Sequence, residues 1–445
     1  MRHKILTTVI LMSCGLNVLA STAAEQSAVL FENVRIFNGS SAERSPTSNV
    51  LVQGNRITQI STAPITPPAA VSITKINGAG RTLMPGLIDN HVHITLGASS
   101  QSDLINPAIS AEVLQTRAAD EAHFMLLRGF TAVRDLGGPI FALKRDIDAG
   151  KTIGPRIYPS GAMVSQTSGH GDSRLPNERS RRFGGEVSRG ELLGANFIAD
   201  GRDEVLTATR ENLRAGASQI KVMAGGGAAS AYDPLDVTQY TLDEMKAAVQ
   251  AADDWGTYVT VHAYTPKAVR RAVDAGVKSI EHGQLLDEAT MKLLAQKGVF
   301  LSLQALDEAP ASQTDDVRAK KHQVVDGTDR AFKWAKKHHV KLAWGTDFLF
   351  SPANNKNQNA DILKLKQWFS PAAALKLVTH DNAQLLALSG LRNPYPGKLG
   401  VVEVNALADL LLVNGDPTQD LNLIADPEKN FVVIMKDGQI YKNTL

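Results

Sequence analysis

The stretch Pro85-Gly86-Leu87-Ile88-Asp89-Asn90-His91-Val92-His93 decides how the rest of the chain is read. A short apolar run ends in histidines at i and i+2, so on a strand both imidazoles leave one face, about 7 Å apart. Such a pair can grip a metal, although a lone His-x-His is as readily two solvated or hydrogen-bonded core residues. Residues further along the chain change its meaning. Lys221 in QIKVMAGGG, His262 in YVTVHAY, His282 in SIEHGQ and Asp347 in KLAWGTD each close a short apolar run as well. Coincidence does not readily place so many ligand-type side chains at strand ends.

Outward from that stretch, apolar runs with strand character fall at 86–94, 131–137, 156–162, 219–226, 258–264, 279–284, 300–305 and 341–347, and helical patterns separate most of them. Eight strand-then-helix units in about 300 residues match a (β/α)₈ TIM barrel over 85–395, an α/β fold. Helix starts agree: Thr241 and Glu244 have capping-box spacing, and Thr265-Pro266 and Ser370-Pro371 place a cap residue before proline. The flanks differ. AVLFENVRIFNG, NVLVQGNRITQI and VSITKING alternate apolar and polar residues around Asn38-Gly39, Gly54-Asn55 and Asn77-Gly78, and ADLLLVNGD and NFVVIMKDGQIYK do so around Asp437-Gly438. Short hairpins alone are barely stable, so 25–84 and 396–445 are expected to form one antiparallel β-sandwich domain from both termini. Two irregular stretches, 163–201 and 307–329, are expected as long loops at the mouth of the barrel.

With 445 residues, 43% hydrophobic content and a formal net charge of +2, the chain has an ordinary globular composition and no basic stripe, which argues against nucleic acid or an anionic membrane as partner. Residues 1–24 read as a secretory signal peptide: Arg2 and Lys4, an apolar Ile5–Leu19, then small residues for cleavage. A periplasmic or secreted mature protein, free of the membrane, is expected. The one cysteine, Cys14, lies in that segment, so the mature chain has no thiol; a lipoprotein modified at Cys14 is the alternative.

Imidazoles and carboxylates at one barrel mouth suit Zn²⁺ and similar ions. Lys221 is the odd member. Alone it would be read as a snorkelling side chain, but a buried lysine tends towards the neutral amine, which reacts with CO₂ to give an anionic carbamate able to bridge two metals.

At these residues the chain resembles the amidohydrolase superfamily of metal-dependent hydrolases, in the branch of imidazolonepropionase-like proteins and prolidase-type carboxypeptidases. PGLIDNHVH, IKVMAGGG, VHAY and IEHG carry the likeness, with NAQLLALSG and ADLLLVNGDP near the C-terminus. The resemblance implies that His91, His93 and Asp347 hold one metal, that His262 and His282 hold the other, and that carboxylated Lys221 and a hydroxide bridge two divalent cations, Zn²⁺ being the first choice. It implies Asp347 as general base and then acid. Tyr264 would hydrogen-bond the substrate carbonyl and the oxyanion, with rim packing as its alternative, and His170 would contact substrate. Glu281, on the opposite strand face from His282, is expected as a structural partner, and Asp135 as a helix cap or salt bridge. Arg174, Arg181, Arg182 and Arg189 are candidates for a substrate carboxylate, with a solvated face as the alternative for most.

The activity so implied is hydrolysis of an amide bond releasing a C-terminal amino acid from dipeptides or N-acyl amino acids; the branch includes enzymes acting on Xaa-Pro dipeptides and on ochratoxin A. Hydrolysis of a cyclic amide or lactone is the alternative, opposed by Lys221, and a non-catalytic exported metal-binding barrel is a third. Homo-oligomers are common among such barrels, and one is expected.

Overall fold

Strand β6 (Leu87–Val92) carries the quoted stretch, and the strands after it run parallel to it in two hydrogen-bonded groups. The computed structural model describes residues 27–68, 72–230 and 232–445; the expected leader and Cys14 lie outside them. The first group is β6, β7 (Phe130–Asp135) and β8 (Arg156–Pro159). The second is β10 (Asn196–Ile198), β9 (Met163–Ser165), β11 (Ile220–Met223), β12 (Val259–Ala263), β13 (Ser279–His282), β14 (Phe300–Leu303) and β15 (Lys341–Trp344), in that order. The expected strand at 156–162 is therefore split: β8 stops at Pro159, Gly161 takes φ +74°, and β9 resumes against β11.

Two seams close the ring. The Ser218 amide donates to Pro159 O at 2.8 Å, joining β8 to the segment that leads into β11. On the other side the Asp347 amide donates to His91 O at 2.8 Å. There the Asn382 side chain donates to Ile88 O at 2.7 Å and Trp344 O at 2.9 Å and accepts from the Trp344 amide. A π turn at Leu377–Asp381 sets Asn382 in place within an otherwise continuous helical stretch.

Helices cover the barrel, and their caps follow the local chemistry. Thr241 and Glu244 exchange both bonds of a capping box, and the Ser370 hydroxyl accepts from the Ala373 amide. The stretch 307–329 departs from expectation, because all but its start belongs to the helix Asp315–Lys337. Its charged composition and Gly327 hide the stripe Val324, Ala331, Phe332 and Ala335 that it buries. Among the described residues no helix is long and apolar enough to cross a membrane.

Both termini build one eight-stranded sheet from β1 (Ser27–Ile36), β2 (Thr47–Gln53), β3 (Arg56–Ser61), β4 (Ser72–Asn77), β5 (Thr82–Pro85), β16 (Leu410–Val413), β17 (Phe431–Lys436) and β18 (Gln439–Asn443). The halves join where β16 pairs antiparallel with β5. The sheet is mixed rather than purely antiparallel, since β4 and β5 run parallel to β1; alternation reports which face a residue takes, not which way its strand runs. Leu410 and Leu412 enter the sheet's own core with Phe31 and Val50, whereas Leu411 and Val413 join the barrel core. The hairpin tips meet, Asn55 donating to Asp437 at 3.0 Å, so the sheet curls around its core.

Candidate active site

The strands' C-terminal ends bring the expected side chains together. His91 Nε2 lies 3.2 Å and His93 Nε2 3.5 Å from Asp347 Oδ1, and His282 Nδ1 lies 4.0 Å from Asp347 Oδ2. His262 packs edge-on to His282, ring centres 4.4 Å apart. Lys221, 1% exposed, belongs to the same charge cluster and makes no ion pair among the described residues.

Local backbone explains the convergence. His282 and Asp347 both adopt left-handed φ, +78° and +55°, a conformation that costs a non-glycine residue on the order of 1 kcal/mol or more. In β13 the alternation sends Ser279 and Glu281 inward, and the turned backbone swings His282 over the strand end to the mouth. Asp89 ties β6 to the segment bearing Asp347: its carboxylate accepts from the amides of His91 and Thr346, each at 3.1 Å, and from the Thr346 hydroxyl at 2.7 Å. Gly345 permits this closeness, since a Cβ there would stand 2.4 Å from the His91 nitrogen.

Three of the imidazoles are oriented from behind. His91 Nδ1 is 3.0 Å from Glu281 Oε2, His93 Nδ1 is 3.1 Å from Gly137 O, and His262 Nε2 is 3.0 Å from Gly226 O. Glu281 is thus more than a structural partner on the far strand face: it lies inside the barrel, holds His91, and is itself held by Arg134 at 2.7 Å and Thr260 at 2.5 Å. Asp135 caps, as expected, accepting from the Ile94 amide at 2.8 Å at the start of the short helix after His93.

His170 stacks on His262 with ring centres 4.0 Å apart, and its Nδ1 lies 3.0 Å from both Ser230 Oγ and Asp233 Oδ2. The glycine run after β11 makes room: a Cβ on Gly227 would stand 1.9 Å from the His170 ring. Tyr264, 3% exposed, stacks on His282 at 4.9 Å. The four loop arginines expected as candidates are otherwise engaged. Arg174 pairs with Asp172, Arg181 with Glu191 and Arg182 with Glu204, and Arg189 donates to Leu104 O and Ile109 O. Asp89, Asp233 and Glu281 are contributors that sequence reasoning missed or underrated. Asp89 lies inside the opening stretch, whereas nothing local marks Asp233.

Protonation suits metal binding. Burial lowers the pKa of His91 to about 4 and those of His262 and His282 well below the usual imidazole value. The Asp347 carboxyl is held well below its ordinary value by His91, His93 and His282, against the effect of burial. Neutral imidazoles beside a carboxylate are the states that ligate. Among the described residues, His91 Nε2 and His282 Nδ1 are buried without a hydrogen-bond partner, a costly arrangement unless a cation takes the lone pairs. His91, His93 and Asp347 offer ligand atoms all within 4.8 Å of one another. Burial also lowers the Lys221 pKa to about 8, against the attraction of Glu281 and Asp347.

Comparison with known proteins agrees with this geometry. Residues 82–442 match the Amidohydrolase family. Ochratoxinase of Aspergillus niger is 32% identical over 375 residues, which span 81% of this chain and 75% of that protein. A crystal structure of a prolidase complexed with N-methylphosphonate-L-proline is 31% identical and superposes with a TM-score of 0.85, covering 94% of this chain and 100% of that one. That of a Xaa-Pro dipeptidase with bound methionine in the active site is 27% identical, with a TM-score of 0.79 and the same coverages.

Proposed function

The chain belongs to the amidohydrolase family of metal-dependent amide-bond hydrolases, and from that premise we propose that it releases a C-terminal amino acid from N-acyl amino acids or dipeptides. The observation that carries the reading is the convergence of His91, His93, His282 and Asp347 around buried ring nitrogens that lack any other partner. The prolidase, dipeptidase and ochratoxinase relatives support the substrate class.

His91, His93 and Asp347 would hold one divalent cation and His262 and His282 a second, with Lys221 between them as its carbamate. When bound, such ions, Zn²⁺ by the donor set, would supply Lewis-acid chemistry, lowering the pKa of a water and polarising a carbonyl. The chain's own residues do the rest. A Lys221 pKa of about 8 keeps neutral amine available at physiological pH to take up CO₂. Asp347 accepts the proton of the attacking water and returns it to the departing amine, so that water adds across the C–N bond to leave a carboxylate and an amine. Burial raises the Tyr264 pKa, so its hydroxyl stays protonated and donates to the developing oxyanion. His170, fixed through Nδ1 by Asp233, presents its other nitrogen to substrate.

The test is a profile of amines released from a blocked-amino-acid and dipeptide library by Zn²⁺-loaded protein, together with metal content per chain. Free α-amino acids and close to two ions per chain are expected. Hydrolysis confined to cyclic amides or lactones would overturn the assignment. The proposal extends to export through the leader 1–24 and to a homo-oligomeric state, checked by N-terminal sequencing of the extracytoplasmic protein and by light scattering.

A further inference from the structure

The side of the mouth beyond His282 is built of carbon. Tyr264, stacked on His282, belongs to a cluster with Ala228 and Leu235 of the loop after β11 and Val324 of the helix Asp315–Lys337. The half-buried Leu285 and Leu306 pack against that cluster. The six side chains thus come from the segments that follow β11, β12, β13 and β14 at the strands' C-terminal ends, and from the helix after them.

Both leucines sit next to residues of the site. Leu285 follows His282 in the loop after β13, and Leu306 follows Gln304, whose amide nitrogen stands 3.3 Å from His91 Nδ1. The helix behind them is firmly seated. A Cβ on Gly327 would stand 2.4 Å from Gln284 O and 3.2 Å from Leu285 Cδ2, and the Lys320 ammonium donates to Ser230 O. Two charged groups bonded to this loop are already matched. Asp233 accepts from the Gly227 amide at 2.7 Å and faces His170 Nδ1 at 3.0 Å, and Lys320 pairs with Asp316 at 3.3 Å. An apolar face left partly open gains when an apolar group covers it, whereas a charged group would give up hydration there.

We infer that this face is a specificity pocket for an apolar side group of the substrate, with Leu285 and Leu306 as the residues that meet it. The inference deepens the function proposed above and rests on it. Covering a leucine-sized group corresponds to about 10–100-fold in kcat/KM. The chemistry is the same whether the released amino acid or the acyl half carries the group, and the experiment separates the two.

Metal-loaded wild type is assayed on two series. In the first, one acyl group is joined to glycine, leucine, phenylalanine, glutamate or lysine; in the second, one amino acid carries an acetyl, isovaleryl, benzoyl or succinyl group. In one of the series the apolar members are expected to exceed the smallest and the charged members by about 10–100-fold in kcat/KM, and that series identifies the half that is held. Leu306→Ala and Leu285→Ala should each reduce the preference about 10-fold, and Leu306→Met should keep most of it. A wild type with no apolar preference in either series overturns the pocket without recourse to any variant. Alanine variants that lose all substrates in equal proportion, or none, overturn the role of the two leucines while the amide hydrolase reading stands. A wild type that cleaves no member of either series removes that reading, and this inference with it.

Discussion

The two ends of the barrel are built to opposite rules. At its foot, where the terminal sheet packs on the strand starts, charges are matched. Arg156 donates to both oxygens of Asp409 at 2.8 and 3.1 Å and to Asp437 at 2.7 Å, and Asp409 also accepts from the Asp437 amide at 2.8 Å. At the mouth, among the described residues, His91 Nε2 and His282 Nδ1 have no hydrogen-bond partner, buried Lys221 has no ion pair, and His282 and Asp347 hold left-handed backbone. Strain and unsatisfied polar groups gather where binding can relieve them, and the foot supplies the rigidity that tolerates them.

The sharpest way to break the contrast is Lys221→Ala. If the mouth is assembled around a bridging carbamate, this variant loses most of its metal, and kcat/KM falls on the order of 10³-fold or more, with partial rescue by small carboxylic acids. Metal analysis and steady-state kinetics check it; full activity removes the binuclear assignment. Asp347→Asn comes next. The amide can still ligate but cannot carry a proton, so metal is retained and turnover drops about 10²–10⁴-fold. Unchanged turnover would leave Asp347 as a ligand only.

The same contrast explains how much of the molecule is legible in its sequence. Most barrel strands are legible because they are short apolar runs, five of them ending in a chemically conspicuous residue, and such patterns are local; the split of 156–162 and the short β10 within 163–201 are not. Local too are the capping box at Thr241 and Glu244 and the turn at Asp437-Gly438, where both residues have positive φ. What escapes is non-local. The direction of β4 and β5 depends on partners, and the helix at 315–337 is masked by its charged surface. Asp233 meets His170 across 63 positions, and the swing of His282 is a backbone conformation that its side-chain identity does not announce.

At the foot, Arg156→Met tests the other half of the comparison. Removing the guanidinium strands Asp409, 4% exposed, and breaking a buried pair costs about 3–5 kcal/mol. Thermal and denaturant unfolding should show the loss, with kcat/KM at 25 °C and metal content unchanged while the chain stays folded. A variant with native stability but altered turnover would mean that the two ends are not independent.

Glu281→Gln probes the level between the two ends and has the smallest expected effect. Glu281 joins the matched world of the foot, through Arg134 and Thr260, to the unmatched mouth, through His91. Glutamine keeps the shape but loses the negative charge that faces His91 Nδ1 at 3.0 Å and orients the ring. Metal affinity, measured by competition with a chelator, should fall about 10–100-fold, with turnover at saturating metal falling less. Arg134 is then left buried beside a neutral amide, so stability falls too, and the conservative Glu281→Asp separates the causes: it restores charge balance but, one methylene shorter, not the contact with His91. Recovery of stability without recovery of metal affinity is the result expected if Glu281 acts on the site through His91. Recovery of both would reduce its role to neutralising Arg134.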